Sequence, residues 1–156
     1  MGTSLHDFLT DELSSERVAE VVKAKALDPV ELIERHLFDG RTFLRRNAAS
    51  ALTQLGAIQA DNLHWVVVAT KDGDPLVREY ATAALPLIGL DPQAAFDALL
   101  NTLGDREAPV AEAAGVALEQ LTLTDPQAMA DLLVPRLTDS RPMVAATAQE
   151  LLLRIA

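Results

Sequence analysis

The 156-residue sequence contains no cysteine, which removes disulfides, thiolate metal sites and cysteine nucleophiles from the chemistry it can perform. Aromatic residues are few, with one Trp, one Tyr and four Phe, so the core must be filled by aliphatic and small side chains. Long apolar runs are missing as well. No segment approaches the roughly 20 residues that span a bilayer, and Met1-Gly2-Thr3-Ser4-Leu5-His6-Asp7 has no basic stretch leading into an apolar one. A cytoplasmic chain without membrane association is the expectation. Positive charge is scarce too: 13 Lys and Arg stand against 23 Asp and Glu, for a net charge of −10, with the second half the more acidic. Nucleic-acid binding depends on Lys and Arg neutralising phosphates, so nucleic acid is not an expected partner. No Gly-rich phosphate loop, strand-like alternation or readable Ser-His-Asp arrangement is present. No catalytic residue, metal or cofactor is therefore assigned, and the chain does not read as an enzyme.

What the sequence does have is a 49% hydrophobic content dominated by Leu, Ala and Val, and those residues recur. Aligning the chain on Leu44, Val77, Val110 and Val144 gives separations of 33, 33 and 34 residues. Four positions after each anchor stand Ala48, Ala81, Ala114 and Ala148. Seven after stand Ala51, Ala84, Ala117 and Leu151, eight after Leu52, Leu85, Leu118 and Leu152, and eleven after Leu55, Ile88, Leu121 and Ile155. These offsets trace one stripe on a helix of 3.6 residues per turn.

Five residues before each anchor is an aspartate, Asp39, Asp72, Asp105 or Asp139, and upstream of it lies a second apolar pattern. Its stripe runs through Ile33, Val66, Leu99 and Leu133, joined by Leu37, Leu103 and Leu137, with Thr70 as the exception. Each unit thus predicts a helical hairpin. Asp28-Pro29, Asp91-Pro92 and Asp125-Pro126 mark starts of first helices, Asp61-Asn62 keeps the cap without Pro, and Asp74-Pro75, Pro109 and Pro142 mark starts of second helices. A two-helix unit of about 33 residues cannot bury its apolar face alone, so neighbours must stack. The expected fold is all-α, a right-handed α-solenoid of antiparallel hairpins spanning 28–60, 61–90, 91–124 and 125–156, in one domain preceded by a divergent helical cap over 1–27.

The segments Phe38-Asp39-Gly40-Arg41-Thr42-Phe43-Leu44-Arg45-Arg46-Asn47-Ala48 and Asp72-Gly73-Asp74-Pro75-Leu76-Val77-Arg78-Glu79-Tyr80-Ala81 resemble the HEAT-like repeat, in the short form also found in phycobilisome lyase subunits. The resemblance covers residues 28–156 and implies protein binding and scaffolding. It also implies a ladder of side-chain bonds between the loop Asp and an Arg six positions later, here Asp39 with Arg45 and Asp72 with Arg78. Ala111 and Ala145 replace Arg in the third and fourth units, so the ladder is expected to weaken there. A bilin lyase-like partner subunit, and below it a DNA-repair glycosylase-like protein, are the alternatives the family admits.

By the same resemblance, the second helices line a concave face. Their outward offsets place Arg46, Thr53, Glu79, Thr82, Glu112, Glu119, Gln149 and Leu153 as candidate partner-binding residues. Small Ala49, Thr82 and Gly115 would leave a groove for a helix or extended peptide, or would simply permit tight curvature. The expected partner is a basic or amphipathic protein segment. The apolar ending Leu151-Leu152-Leu153-Arg154-Ile155-Ala156 adds a candidate homo-oligomer surface around Leu153. Other polar residues read as structural: the repeated Asp as caps and loop acceptors, His36 and His64 as packing or surface residues, and Trp65 as core packing between units.

Overall fold

Proline and aspartate mark where the helices begin. In the computed structural model, which describes residue 33 and residues 36–54, 62–88 and 92–156, Pro opens four helices and stands second in a fifth. It is tolerated there because the first-turn N–H it lacks has no intrahelical acceptor. The helices are α1 (Thr42–Leu52), α2 (Leu63–Ala69), α3 (Pro75–Ala84), α4 (Pro92–Thr102), α5 (Ala108–Thr124), α6 (Pro126–Leu133) and α7 (Pro142–Ile155). Short 3₁₀ turns, Leu85–Leu87 and Val134–Thr138, extend α3 and α6. Each contains a proline two residues past the last α-helical residue, Pro86 or Pro135. A proline cannot donate the next i→i−4 bond, so the tighter turn takes over. The described residues are all-helical, without a strand. None of their helices is long and apolar enough to cross a membrane.

The helices pack in two layers. Chain neighbours pair as α2 with α3, α4 with α5, and α6 with α7. The second helices also lie side by side, α1 against α3, α3 against α5 and α5 against α7, while α2 meets α4 and α4 meets α6. Between the layers runs one continuous core. The anchors Leu44, Val77, Val110 and Val144 are buried, as are Ala48, Ala81, Ala114 and Ala148 one turn on. From the first-helix stripe Ile33, Leu37, Val66, Leu99, Leu103 and Leu133 join them. Small residues at alternate turns bring the helix backbones together, and that explains why so few aromatics suffice.

Two expected core residues lie elsewhere. Leu137 is 43% exposed, because Pro135 converts its segment to a 3₁₀ turn of three residues per turn and rotates it off the 3.6-residue stripe. Trp65 is 44% exposed. It does contact another unit, with its ring 5.7 Å from that of Phe38, and His64 lies 4.3 Å away on its own helix. Its contact is thus between units but at the surface. His36 is buried and His64 exposed. The cap over 1–27, the Asp28-Pro29 start, Asp61, Asp91, Leu55 and His6 lie outside the described residues.

Candidate partner-binding groove

The loop aspartates make the same bond four times. Each carboxylate accepts from the backbone N–H two residues on, Asp39 from Arg41, Asp72 from Asp74, Asp105 from Glu107 and Asp139 from Arg141, all at 2.9 Å. A short acidic side chain that closes its own turn this way fixes the entry angle of the following helix.

Arginines then tie one unit to the next. Arg45 donates from Nε (3.0 Å) and Nη2 (3.2 Å) to Asp72, and its Nη1 reaches back to the carbonyls of Asp39 and Gly40. Arg78 repeats the arrangement one unit on, bidentate to Asp105 and bonded to the carbonyls of Asp72 and Gly73. The side-chain partner of each Arg is therefore the aspartate of the following unit, while its own unit contributes only carbonyls. With Ala111 in the third unit no such arginine reaches Asp139, which is held instead by Arg141 from its own loop and by Arg136. Asp39 is likewise held by Arg41. At the two rungs that are filled from the preceding unit, the position of Arg41 and Arg141 is acidic, Asp74 and Glu107. Among the described residues, a loop aspartate pairs with an arginine of its own loop at Asp39 and Asp139 and with one from the preceding unit at Asp72 and Asp105.

Charge pairing lowers the carboxylates. The Arg41 side chain and backbone N–H bring Asp39 down to about 2, and Arg141 pulls Asp139 lower still. Asp74 is lowered first by the bidentate Arg46 guanidinium at 2.6 and 2.9 Å, against the cost of burial. For Asp105 burial acts upward and is the largest single influence, but the Arg78 hydrogen bonds, the Glu107 N–H and the charges of Arg78 and Arg106 together outweigh it, and the net direction is down.

On the outward side of the second helices a groove of about 420 Å³ opens between α3 and α5, with Thr53 at the end of α1. Its walls are Tyr80, Ala83, Pro109, Ala113, Val116 and Gln120, and it carries the carboxylates of Glu79 and Glu112. Neither glutamate is in an ion pair among the described residues. Of the described arginines all except Arg106 are in ion pairs. The groove is thus mostly apolar and carries two carboxylates that no described cation pairs with. A second hollow of about 400 Å³ lies between α2 and α4, where Lys71, Asp97 and Asn101 surround the Arg78 and Asp105 pair.

Of the eight residues singled out from sequence, the structure brings Thr53, Glu79 and Glu112 together in the groove. Arg46 is taken up by Asp74 across the α1 and α3 junction, and Glu119 by Arg154 across α5 and α7. Gln149 and Leu153 are exposed on α7, away from the groove. Thr82 is a correction. It is fully buried, and its hydroxyl donates to the Arg78 carbonyl at 2.7 Å. Ala49 is fully buried as well. Five positions past the anchor is about 140° round the helix from that anchor; at Ala49 and Thr82 this position is covered, whereas Gly115 is only partly buried and has open space beside it, so the shared offset does not line one groove. The outward arc is carried by the sixth position, Ala83 and Val116, together with the second and third, Glu79, Tyr80, Glu112 and Ala113. The signal that could have found Tyr80 and Val116 was the exposed arc itself, drawn opposite the core. Among the described residues no group of three His, Asp or Glu is placed to hold a metal ion. No family model matches the chain, and no curated protein matches it.

Proposed function

We propose that the chain is a HEAT-like α-solenoid acting as a protein-binding scaffold, and that the groove between α3 and α5 receives a basic or amphipathic segment of another protein. The observation that carries this is the pair Glu79 and Glu112, which have no ion-pair partner among the described residues, on a largely apolar groove of about 420 Å³, on a surface where other carboxylates such as Asp72, Asp74, Asp105 and Glu119 are matched by arginine. Apolar walls supply desolvation and the carboxylates supply orientation and charge selection. The solenoid reading is supported by the layered order of first and second helices and by the fourfold recurrence of the loop Asp bond. The net charge of −10 and the engagement in ion pairs of the described arginines other than Arg106 disfavour phosphate neutralisation, and the partner is protein in preference to nucleic acid.

Peptide selection tests this. A random displayed library is selected on the wild-type protein and counter-selected on the Glu79→Lys/Glu112→Lys variant. The survivors should be basic and amphipathic, should lose at least about tenfold in affinity on that variant, equivalent to roughly 1.4 kcal/mol, and should bind more weakly as salt rises. The distant substitution Asp131→Lys should leave them unaffected. Survivors without basic residues, or equal loss with Asp131→Lys, would show that the groove is not the site.

A further inference from the structure

The groove's chemistry distinguishes between cations. We infer that the side chain seated between Glu79 and Glu112 is an arginine of the partner, selected over lysine; this rests on the groove reading above and sharpens it.

Apart from the two glutamates, Thr53 and Gln120, the groove is walled by Tyr80, Ala83, Pro109, Ala113, Val116 and Ala117. An ammonium is a compact, strongly hydrated charge that must shed water to enter such a slot, and the walls offer few acceptors to replace it. A guanidinium is weakly hydrated on its two faces. It can lie against the Tyr80 ring and the aliphatic wall while its edge donates to carboxylates. Glu79 and Glu112 occupy equivalent positions on α3 and α5, two residues past Val77 and Val110, so their backbones are separated by one helix-to-helix spacing of roughly 8 to 10 Å. A long side chain with a branched, multi-donor head suits that separation.

The chain already solves the same problem internally with arginine. Each ion pair among the described residues has arginine as its cation, and three of the bridges between units, Arg45 to Asp72, Arg46 to Asp74 and Arg78 to Asp105, are bidentate, while Arg136 to Asp97 and Arg154 to Glu119 are made through a single nitrogen. A partner arginine at Glu79 and Glu112 would extend, on the outward face, the mode by which successive units are joined at their loops.

The test is titration of ¹⁵N-labelled protein with N-acetyl-arginine amide and, separately, N-acetyl-lysine amide, followed by amide chemical shifts. The arginine probe should give saturable shifts at Tyr80, Val116 and Gln120 and bind about fivefold more tightly than the lysine probe. Tyr80→Leu should bring that ratio close to one. Glu79→Gln/Glu112→Gln, whose spectrum elsewhere should overlay the wild type, should abolish saturation with both. Equal affinities that still require the glutamates would overturn the arginine assignment and leave the groove reading standing. Shifts that persist in the double variant would overturn both. The absence of any saturable shift with arginine amide at tens of millimolar would overturn the assignment as well.

Discussion

At the residue scale, the most consequential side chains are the arginines that cross between units. The Arg78 side chain is only 7% exposed and Asp105 only 12%, so truncating the arginine leaves a nearly buried carboxylate and two carbonyls without their donor. Arg78→Met should cost about 2 to 3 kcal/mol in urea unfolding. Arg41→Met, at an exposed pair, should have a much smaller effect. Arg78→Lys should recover little of the loss, since an ammonium cannot reproduce the fork that spans Asp105. The same pairs set the acid limit of stability. Asp39, Asp74, Asp105 and Asp139 are all lowered in the folded state from 3.8, so the unfolded chain binds protons more readily. Their contribution is fully present above the unfolded value and is lost as pH falls through the folded values. Thermal unfolding followed by circular dichroism should show a melting temperature insensitive to these groups from neutral pH to about 5, then a steep fall between about 4 and 2. A decline already complete at pH 4 would contradict these assignments. The sequence supplied the aspartates and arginines and their register. It did not supply the partner of each arginine, because the aspartate in reach depends on how far and at what angle the next unit sits.

At the element scale, the helix starts at Pro75, Pro126 and Pro142 and most of the buried stripe were legible from the chain alone. Asp74 and Asp125 cap α3 and α6 by accepting from Val77 and Ala128, at 3.1 Å each. A cap and a heptad-like stripe act within a few residues, so they survive any tertiary arrangement. Asp125→Ala should therefore cost about 1 kcal/mol. Gly115 offers the opposite case. It lies within the 17-residue α5, and a Cβ built there meets nothing within 4 Å. Gly115→Ala should stabilise the protein by about 0.4 to 1 kcal/mol by reducing the freedom of the unfolded chain, and a loss of stability in denaturant melts would show that α5 is more crowded than it stands. What periodicity could not decide was which outward position a neighbour covers. Thr82 was placed on the binding surface by its offset, yet it is fully buried. Pro86 and Pro135 also changed the helical pitch beyond them, which moved Leu137 off the stripe it shares by alignment with Leu37 and Leu103.

At the scale of the whole molecule, the bonds between units are graded along the chain. The crossings from α1 to α3 and from α3 to α5 have both close helix contact and an Arg–Asp rung. The crossing from α5 to α7 touches over a shorter stretch, lacks a rung because Ala111 stands where Arg would, and is bridged by Arg154 and Glu119, both about half exposed. Hydrogen exchange should accordingly be faster in α7 than in α3 and α5, since local opening is governed by buried contact; uniform protection across the three would show that the exposed Arg154 pair holds the junction as well as a buried rung. The all-helical class and most of the core among the described residues were determined by the sequence itself, because they follow from residue spacing along a single helix. The rotation of each helix against its neighbour belongs to the tertiary structure. That rotation decided that Arg45 meets Asp72, that Thr82 is covered while Tyr80 and Val116 face outward, and that Glu79 and Glu112 share one groove, for each of these depends on distances between elements that no local pattern encodes.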